Sequence, residues 1–356
     1  MDQPALNSSL KIDRDLTLKN TLSALIANDR GLLAIDESDP TCNKRFAAVG
    51  VTQTTEMRRE YRNILISTPH LSDSISGVIL YKETFLQKEY DGSLSREALT
   101  NAGLIAGIKV DIGAKAMALF PGERVTEGLD GLRRQLTNYA SSGARFAKWR
   151  AVISVAESSP SPACVEANAS ALARYAALCQ ECALIPIIEP EISMIGAHSI
   201  ERCQDVTEHV LRTVFDRLNE QAVRLEFLIL KTNMILPGLK SPQKPSPQQI
   251  AKITIKSLRR VVPAAVPAVA FLSGGQEPVL ATERLNAMNN SESRMHSPWV
   301  LTFSFARAIQ GPALAIWKGQ AGNKDAAQKA LLHRAICNRA ARKGEYLASM
   351  ETAAQQ

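Results

Sequence analysis

A chain of 356 residues has room for two ordinary domains or one large α/β barrel, and 45% hydrophobic with 22% charged residues is a globular composition. No apolar stretch approaches the ~20 residues of a membrane span, and Met1-Asp2-Gln3-Pro4-Ala5-Leu6-Asn7 lacks the basic-then-apolar order of a secretory leader, so a cytoplasmic location is expected. The net charge of +7 suits anionic partners, but scattered basic residues and only 5% aromatics favour small phosphorylated molecules over nucleic acid.

Residues 1–19 are expected to form a polar arm with little fold of its own, although Leu16 to Ile26 has helical periodicity. Leu32-Leu33-Ala34-Ile35 is the first short apolar run, closing on Asp36-Glu37-Ser38, and a polar loop follows, Asp39-Pro40-Thr41-Cys42-Asn43-Lys44-Arg45. Glu56 to Leu65 is helical, Ser76 to Tyr81 a strand, Phe85 to Asp91 a turn and Ser95 to Thr100 a helix. Leu104-Ile105-Ala106-Gly107-Ile108 runs into Lys109-Val110-Asp111, and Gly128 to Ala140 is helical. Ala144 to Ile153 alternates charged and apolar residues as a strand does.

Ser161-Pro162 opens a long helix with a good N-cap and a proline in the first turn. Cys179-Gln180-Glu181-Cys182 has redox or metal spacing, but it continues an Ala/Leu-rich helical run without a second pair, so it reads as a packing face. The other four cysteines are dispersed, and His70, His198, His209, His296 and His333 show no ligand spacing; no disulfide framework, metal or cofactor is expected. Leu184 to Ile188 is a strand closing on Glu189-Pro190-Glu191, with Pro186 counting against a central position. After a helix from Ile200 to Gln221, Phe227-Leu228-Ile229-Leu230 is a short, fully apolar run stopped by Lys231. Lys240 to Pro247 is a loop, Gln248 to Val261 a helix, Ala268 to Leu272 a strand ending at Ser273-Gly274-Gly275, and Glu283 to Asn289 helical. Trp299 to Ser304 is the last strand, Arg307 begins a helix, and Lys324 to Lys343 forms the final one.

Strand and helix therefore alternate about eight times, the pattern of a single closed (β/α)8 TIM barrel over residues 20–343, with a short tail at 344–356. A doubly wound sheet fits less well, since no Gly-rich dinucleotide loop follows the first strand. Barrel chemistry sits at the carboxyl ends of the strands, and those ends carry Asp36, Lys109, Lys148, Glu189, Lys231, Ser273 and Arg307. An uncharged lysine amine in an apolar setting is a nucleophile towards carbonyl carbon. Lys148 is expected to supply the like charge that keeps Lys231 neutral or to help stabilise charge in the intermediate, with Glu189 and Asp36 as proton carriers. Ser273-Gly274-Gly275 with Arg307 makes one candidate anion site, and Ser38, Lys44 and Arg45 a second.

Six motifs, Leu33 to Ser38, Gly107 to Asp111, Phe146 to Arg150, Ile187 to Glu191, Leu230 to Met234 and Phe271 to Gln276, resemble in order those of class I fructose-1,6-bisphosphate aldolase, in its bacterial or photosynthetic form. The resemblance runs from about Thr17 to Tyr346. It implies a metal-independent lyase of glycolysis, gluconeogenesis or the Calvin cycle that splits fructose 1,6-bisphosphate reversibly into dihydroxyacetone phosphate and glyceraldehyde 3-phosphate. By matching motif, Lys231 is the Schiff-base lysine, Glu189 its acid/base, Asp36 the base at the C4 hydroxyl, and Lys148 and Glu191 assist. Lys109 and Arg150 contact the sugar; Ser273, Gly274 and Arg307 take one phosphate, and Ser38, Thr41, Lys44 and Arg45 the other.

The chain departs from the family at Thr232, where a proline usually follows the lysine, at Ser304-Phe305-Ala306, at Ile112, and in a C-terminal tail that here closes Ala353-Ala354-Gln355-Gln356 rather than on a tyrosine. Thr232 is expected to loosen the strand end, and the tail to raise activity on fructose 1-phosphate relative to the bisphosphate. The alternatives are an aldolase for sedoheptulose 1,7-bisphosphate, or a non-catalytic basic scaffold for anionic partners. A homodimer or homotetramer is the family's usual assembly.

Overall fold

Eight parallel strands close into a barrel wrapped by helices in the computed structural model, which describes residues 3–88, 92, 94–156, 159–290 and 297–352. The elements run α1 Gln3–Ile26, β1 Gly31–Ile35, α2 Asp39–Ala47, α3 Thr55–Ile66, β2 Ile75–Leu80, α4 Lys82–Leu86, α5 Ser95–Asn101, β3 Ile105–Lys109, β4 Ala114–Ala116, β5 Arg124–Thr126 and α6 Leu132–Ser141. They continue β6 Phe146–Ile153, α7 Pro162–Glu181, β7 Ile185–Ile192, α8 Ile200–Glu220, β8 Ile229–Thr232, α9 Pro247–Val261, β9 Ala268–Phe271, α10 Pro278–Met288, β10 Val300–Phe305, α11 Arg307–Trp317 and α12 Lys324–Lys343. Barrel order is β1-β2-β3-β6-β7-β8-β9-β10, closed by β10 on β1 through Leu32↔Ser304; β4 and β5 form a separate antiparallel hairpin.

The strands read as continuous apolar runs because both faces are covered, and their period of two sorts the side chains. Leu33, Ile35, Trp149, Ile188, Leu230 and Phe271 pack outward under the helices. Leu32, Ala34, Phe146, Ile187, Ile229 and Ala270 belong to a second cluster that fills the barrel. Gly107 admits Phe146 to that interior, since a Cβ there would lie 2.2 Å from its ring. Two residues beyond Ala34, Gly107, Phe146, Ile187 and Ile229, the same inward parity reaches Asp36, Lys109, Lys148, Glu189 and Lys231. A greasy interior topped by a charged layer thus follows from strand periodicity alone.

Helix α1 covers the helical stretch expected from Leu16 to Ile26 and extends back through the expected arm to Gln3; Leu18, Leu22 and Leu25 fall on one face and join the interior cluster. Asp15 of α1 also pairs with Arg224 at 2.5 Å. The expected polar loop at Asp39–Arg45 is likewise a helix, α2, started by Pro40 in its first turn, with Lys44 and Arg45 in its last. The helix expected from Gly128 begins at Leu132, after Gly128 (φ 129°) and Gly131 (φ 69°) take backbone angles that favour glycine. Residues Leu225–Phe227 form a 3-10 turn, so the apolar run before Lys231 becomes strand only from Ile229.

Pro186 does sit inside β7, between two neighbours. The Ile185 N–H donates to Arg145 O on the β6 side, so the missing donor at Pro186 faces β8, whose ladder begins only at Ile187↔Ile229. Cys179 is buried in α7, Cys182 closes that helix, and all six cysteines are free, in keeping with a packing face. Residues 1–2 of the arm, residues 89–91 of the Phe85–Asp91 turn, His296 and tail residues 353–356 lie outside the described residues. Among the described residues no helix is long and apolar enough to cross a membrane.

Candidate active site

The inward charged layer forms a chain of ion pairs at the strand ends. Lys148 Nζ lies 2.6 Å from Asp36 Oδ2 and 3.1 Å from Glu189 Oε2, and Lys231 Nζ lies 3.0 Å from Glu189 Oε1. All four residues are buried: Asp36 is 8% exposed, Lys148, Glu189 and Lys231 3% each. Groups on β6, β7 and β8 and just beyond the end of β1 thereby share one desolvated cluster. Lys148 therefore does not face Lys231 as the unopposed like charge expected from the sequence; Glu189 stands between them and Asp36 holds its other side.

Burial would raise the Asp36 carboxyl, but the charges of Lys148, Lys231 and Lys109 outweigh it and hold the group at about 2. Burial likewise opposes charge on Glu189, and Lys148, Lys231 and Arg150 hold it below the usual carboxylate range. The Lys148 ammonium, though buried, is held above the ordinary lysine value by Asp36 and Glu189. Lys148 is thus a fixed cation between two fixed anions.

Lys109 and Arg150 flank the cluster. Lys109 Nζ pairs with Asp111 Oδ1 at 2.7 Å and donates to Asp111 O at 2.9 Å, while Asp111 Oδ2 accepts the Arg150 N–H at 3.2 Å. Arg150 holds Glu191 bidentately, at 2.6 and 3.0 Å, so Glu191 is engaged there and no ion pair joins it to Lys231 among the described residues. Thr232 lies within β8, fully buried, and accepts the Leu272 N–H at 3.0 Å through its carbonyl, so the strand end is paired rather than loosened. Asn233 secures it further: its Oδ1 accepts the Ile192 N–H at 3.1 Å and its Nδ2 donates to Thr207 at 3.3 Å.

The Ser273-Gly274-Gly275 loop meets Arg307 at the end of β9. Gly274 and Gly275 have φ of 57° and 95°, and a Cβ on Gly275 would lie 3.1 Å from the Arg307 guanidinium. Among the described residues no carboxylate pairs with Arg307. Burial, together with the charges of Arg45 and Arg150, pushes its pKa below the usual arginine value. The α11 N-terminus also opens here without a side-chain cap. Donors, a lone guanidinium and a helix start converge where an anion would complete the balance.

The second expected anion group is only partly gathered. Ser38 Oγ and Thr41 Oγ1 are 3.1 Å apart and Lys44 is exposed, but Arg45 is ion-paired with Glu37 and lies within electrostatic reach of Arg307. Its charge therefore serves both groups. Glu37, Gln310 and Asp111 are site-supporting residues that sequence reasoning did not single out. Gln310 Nε2 donates to Glu37 Oε1 at 2.6 Å and to Ala34 O at 2.9 Å, which fixes the carboxylate that holds Arg45. Asp111 was discernible two residues beyond Lys109 on the same face; Gln310 lies too far along the chain to leave a local signal. Ser304, register partner of Leu32, adds a buried hydroxyl without a partner among the described residues.

Comparison with known proteins agrees with this arrangement. Residues 17–356 match the family model described as glycolytic fructose-bisphosphate aldolase class-I. The chain is 49% identical over 330 residues to a probable fructose-bisphosphate aldolase class 1 of Xanthomonas axonopodis pv. citri, covering 92% of this chain and 98% of that one. It is 43% identical over 345 residues to human fructose-bisphosphate aldolase B, covering 97% and 93%. A solved structure of Plasmodium falciparum fructose-bisphosphate aldolase, in complex with TRAP and a small-molecule inhibitor, superposes with a TM-score of 0.91 at 41% identity, covering 94% of this chain and 96% of that one. With the barrel, the lysine–carboxylate cluster and these relatives in agreement, the chain belongs to the class-I fructose-bisphosphate aldolase family.

Proposed function

We propose that this lyase cleaves fructose 1,6-bisphosphate reversibly through a Schiff base on Lys231. The observation that carries the reading is the 3.0 Å approach of Lys231 Nζ to Glu189 Oε1 inside a water-excluded layer. Glu189 takes the ammonium proton, and the freed amine attacks the C2 carbonyl to give a carbinolamine. Glu189 returns the proton to the departing hydroxyl, water leaves and the iminium forms. Asp36 accepts the C4 hydroxyl proton as the C3–C4 bond breaks, releasing glyceraldehyde 3-phosphate, and the bonding electrons pass into the enamine. Protonation at C3 and hydrolysis then release dihydroxyacetone phosphate and restore Lys231.

In this reading the Lys148 ammonium stabilises charge at the C4 oxygen, and Lys109 and Arg150 orient the sugar hydroxyls. Ser273, Gly274 and Arg307 hold one phosphate; Ser38, Thr41 and Lys44 hold the other, with Arg45 between the two. Glu191 orients Arg150. Supporting the phosphate assignments are the uncompensated guanidinium of Arg307 and the exposed Lys44. The same reading places the enzyme in the cytoplasm, in line with an Arabidopsis thaliana relative named as cytosolic that is 47% identical. It serves glycolysis, gluconeogenesis or the Calvin cycle there, as a homodimer or homotetramer.

Borohydride reduction in the presence of dihydroxyacetone phosphate tests the reading. A covalent adduct is expected on the Lys231 peptide by mass spectrometry, and EDTA should leave cleavage unchanged. An unmodified Lys231 peptide would return the chain to the scaffold alternative.

A further inference from the structure

Outside the mouth, one cluster gathers three different metal-binding side chains. His333 and Cys337 lie one turn apart on α12, and Glu351 reaches them from the 3-10 turn Ala348–Glu351. Their donor atoms all lie within 4.8 Å of one another. His333 Nε2 is 3.2 Å from Glu351 Oε2 and 3.6 Å from Cys337 Sγ. A tetrahedral zinc ion, with bonds of about 2.0 Å to nitrogen and oxygen and about 2.3 Å to sulfur, needs ligand edges of about 3.3 Å for N···O and about 3.5 Å for N···S. The two edges match. Neither histidines nor cysteines alone show ligand spacing, which is why the sequence predicts no metal site. The i, i+4 pair mixes the two types, and its third donor comes from beyond the helix.

The geometry points to a divalent-metal site of the zinc class, with His333, Cys337 and Glu351 as ligands and solvent completing a tetrahedron. The carboxylate is already oriented. Tyr346 donates to Glu351 Oε1 at 2.8 Å, and Arg334, anchored on Thr282 at 2.5 Å, holds both carboxylate oxygens at 2.6 and 2.5 Å. Such outer partners set a ligand's direction before the ion arrives. A divalent ion with one thiolate and one carboxylate is neutral, so Arg334 beside it leaves one net positive charge, at a cluster that His333 and Glu351 open to solvent.

A thiol ligates as its thiolate, so the metal must displace a proton: the S–H bond breaks, the metal–sulfur bond forms and the proton leaves to solvent. The charged and titratable groups facing the cluster are Arg334 and Tyr346. His333 and Glu351 side chains are 21% and 22% exposed, which leaves an approach from solvent. Further along α12, Arg342 binds the Arg30 carbonyl beside the start of β1, at the opposite barrel end from Asp36. The site therefore lies on the outer layer, where it would pin the chain after α12 to that helix without touching Lys231.

Cobalt titration of EDTA-treated protein tests this. One equivalent of Co2+ should bind with a thiolate-to-cobalt charge-transfer band, release a proton, raise Tm, and be displaced by Zn2+. Cys337→Ser should abolish the band while leaving sugar cleavage unchanged, and Tyr346→Phe should keep the band but weaken binding about tenfold. No band in the parent protein, or a band that persists in Cys337→Ser, overturns the proposal. Should Cys337→Ser fail to fold, Glu351→Gln takes its place, and unaltered cobalt affinity there overturns it equally. None of these readouts depends on the Schiff base.

Discussion

Glu189 governs the charge balance of the site because one carboxylate serves two lysines, Oε2 towards Lys148 and Oε1 towards Lys231. With Asp36 beyond Lys148, the buried set holds two cations and two anions. Passing the Lys231 proton to Glu189 keeps that sum at zero, whereas losing it to water would leave a net charge in a desolvated layer. Glu189→Gln removes the acceptor and leaves both ammonium groups with Asp36 as their remaining anion. We expect kcat to fall about 10²–10⁴-fold, with borohydride trapping slowed in parallel; a kcat within a few-fold of the parent would remove Glu189 as the proton carrier. Asp36 makes a second test. Its folded pKa of about 2 lies below the ordinary aspartate value of 3.8, so its stabilisation is complete above the unfolded value and is lost as pH falls from about 4 to 2. Asp36→Asn lacks that component. The stability gap between parent and variant in urea titrations should narrow by about 2 kcal/mol across this window, and a constant gap would contradict the ion pair.

Helix α1 and the strands show what a chain reveals locally and what it hides. Leu18 is fully buried in the barrel interior, so Leu18→Ala should cost about 2–5 kcal/mol of unfolding free energy in denaturant titrations while leaving kcat nearly unchanged, since the charged layer stands above it. A loss below about 0.5 kcal/mol, the size of a surface change, would mean that α1 is not part of the core. The strands were legible because an apolar run that ends abruptly on Asp36, Glu189 or Lys231 combines two strong signals. The second half of α1 was legible from Leu16 to Ile26, but its start at Gln3 was obscured because the polar residues before Leu16, among them Asp13, Arg14 and Asp15, show no apolar spacing. The hairpin of β4 and β5 has only three residues per strand, too few for period two to register. The counter-ions of Lys148 were not legible, because they come from the end of β1 and from β7 and only barrel closure sets their distances.

At the scale of the molecule, the net charge of +7 matters chiefly through the cations at the mouth that no carboxylate matches among the described residues. Arg307 and the exposed Lys44 lie where the strand ends open, whereas many other arginines are matched, as Arg133 is by Glu181 at 2.7 Å on the outer surface. Two sources of attraction for a sugar bisphosphate can thus be separated: a diffuse field from the whole chain and a focused field at the mouth. Both weaken with salt, since the screening length is about 10 Å at 0.1 M. Only the second depends on which cation is removed. We expect kcat/KM to fall about tenfold from low to moderate ionic strength with kcat steady, because steering acts on encounter rather than on the bond-breaking step. Arg307→Met should lower kcat/KM and flatten its salt dependence; Arg133→Met, with the same change in net charge, should do neither. Equal slopes for the two variants would assign the attraction to total charge and leave the loop at Ser273 without an electrostatic role in capture.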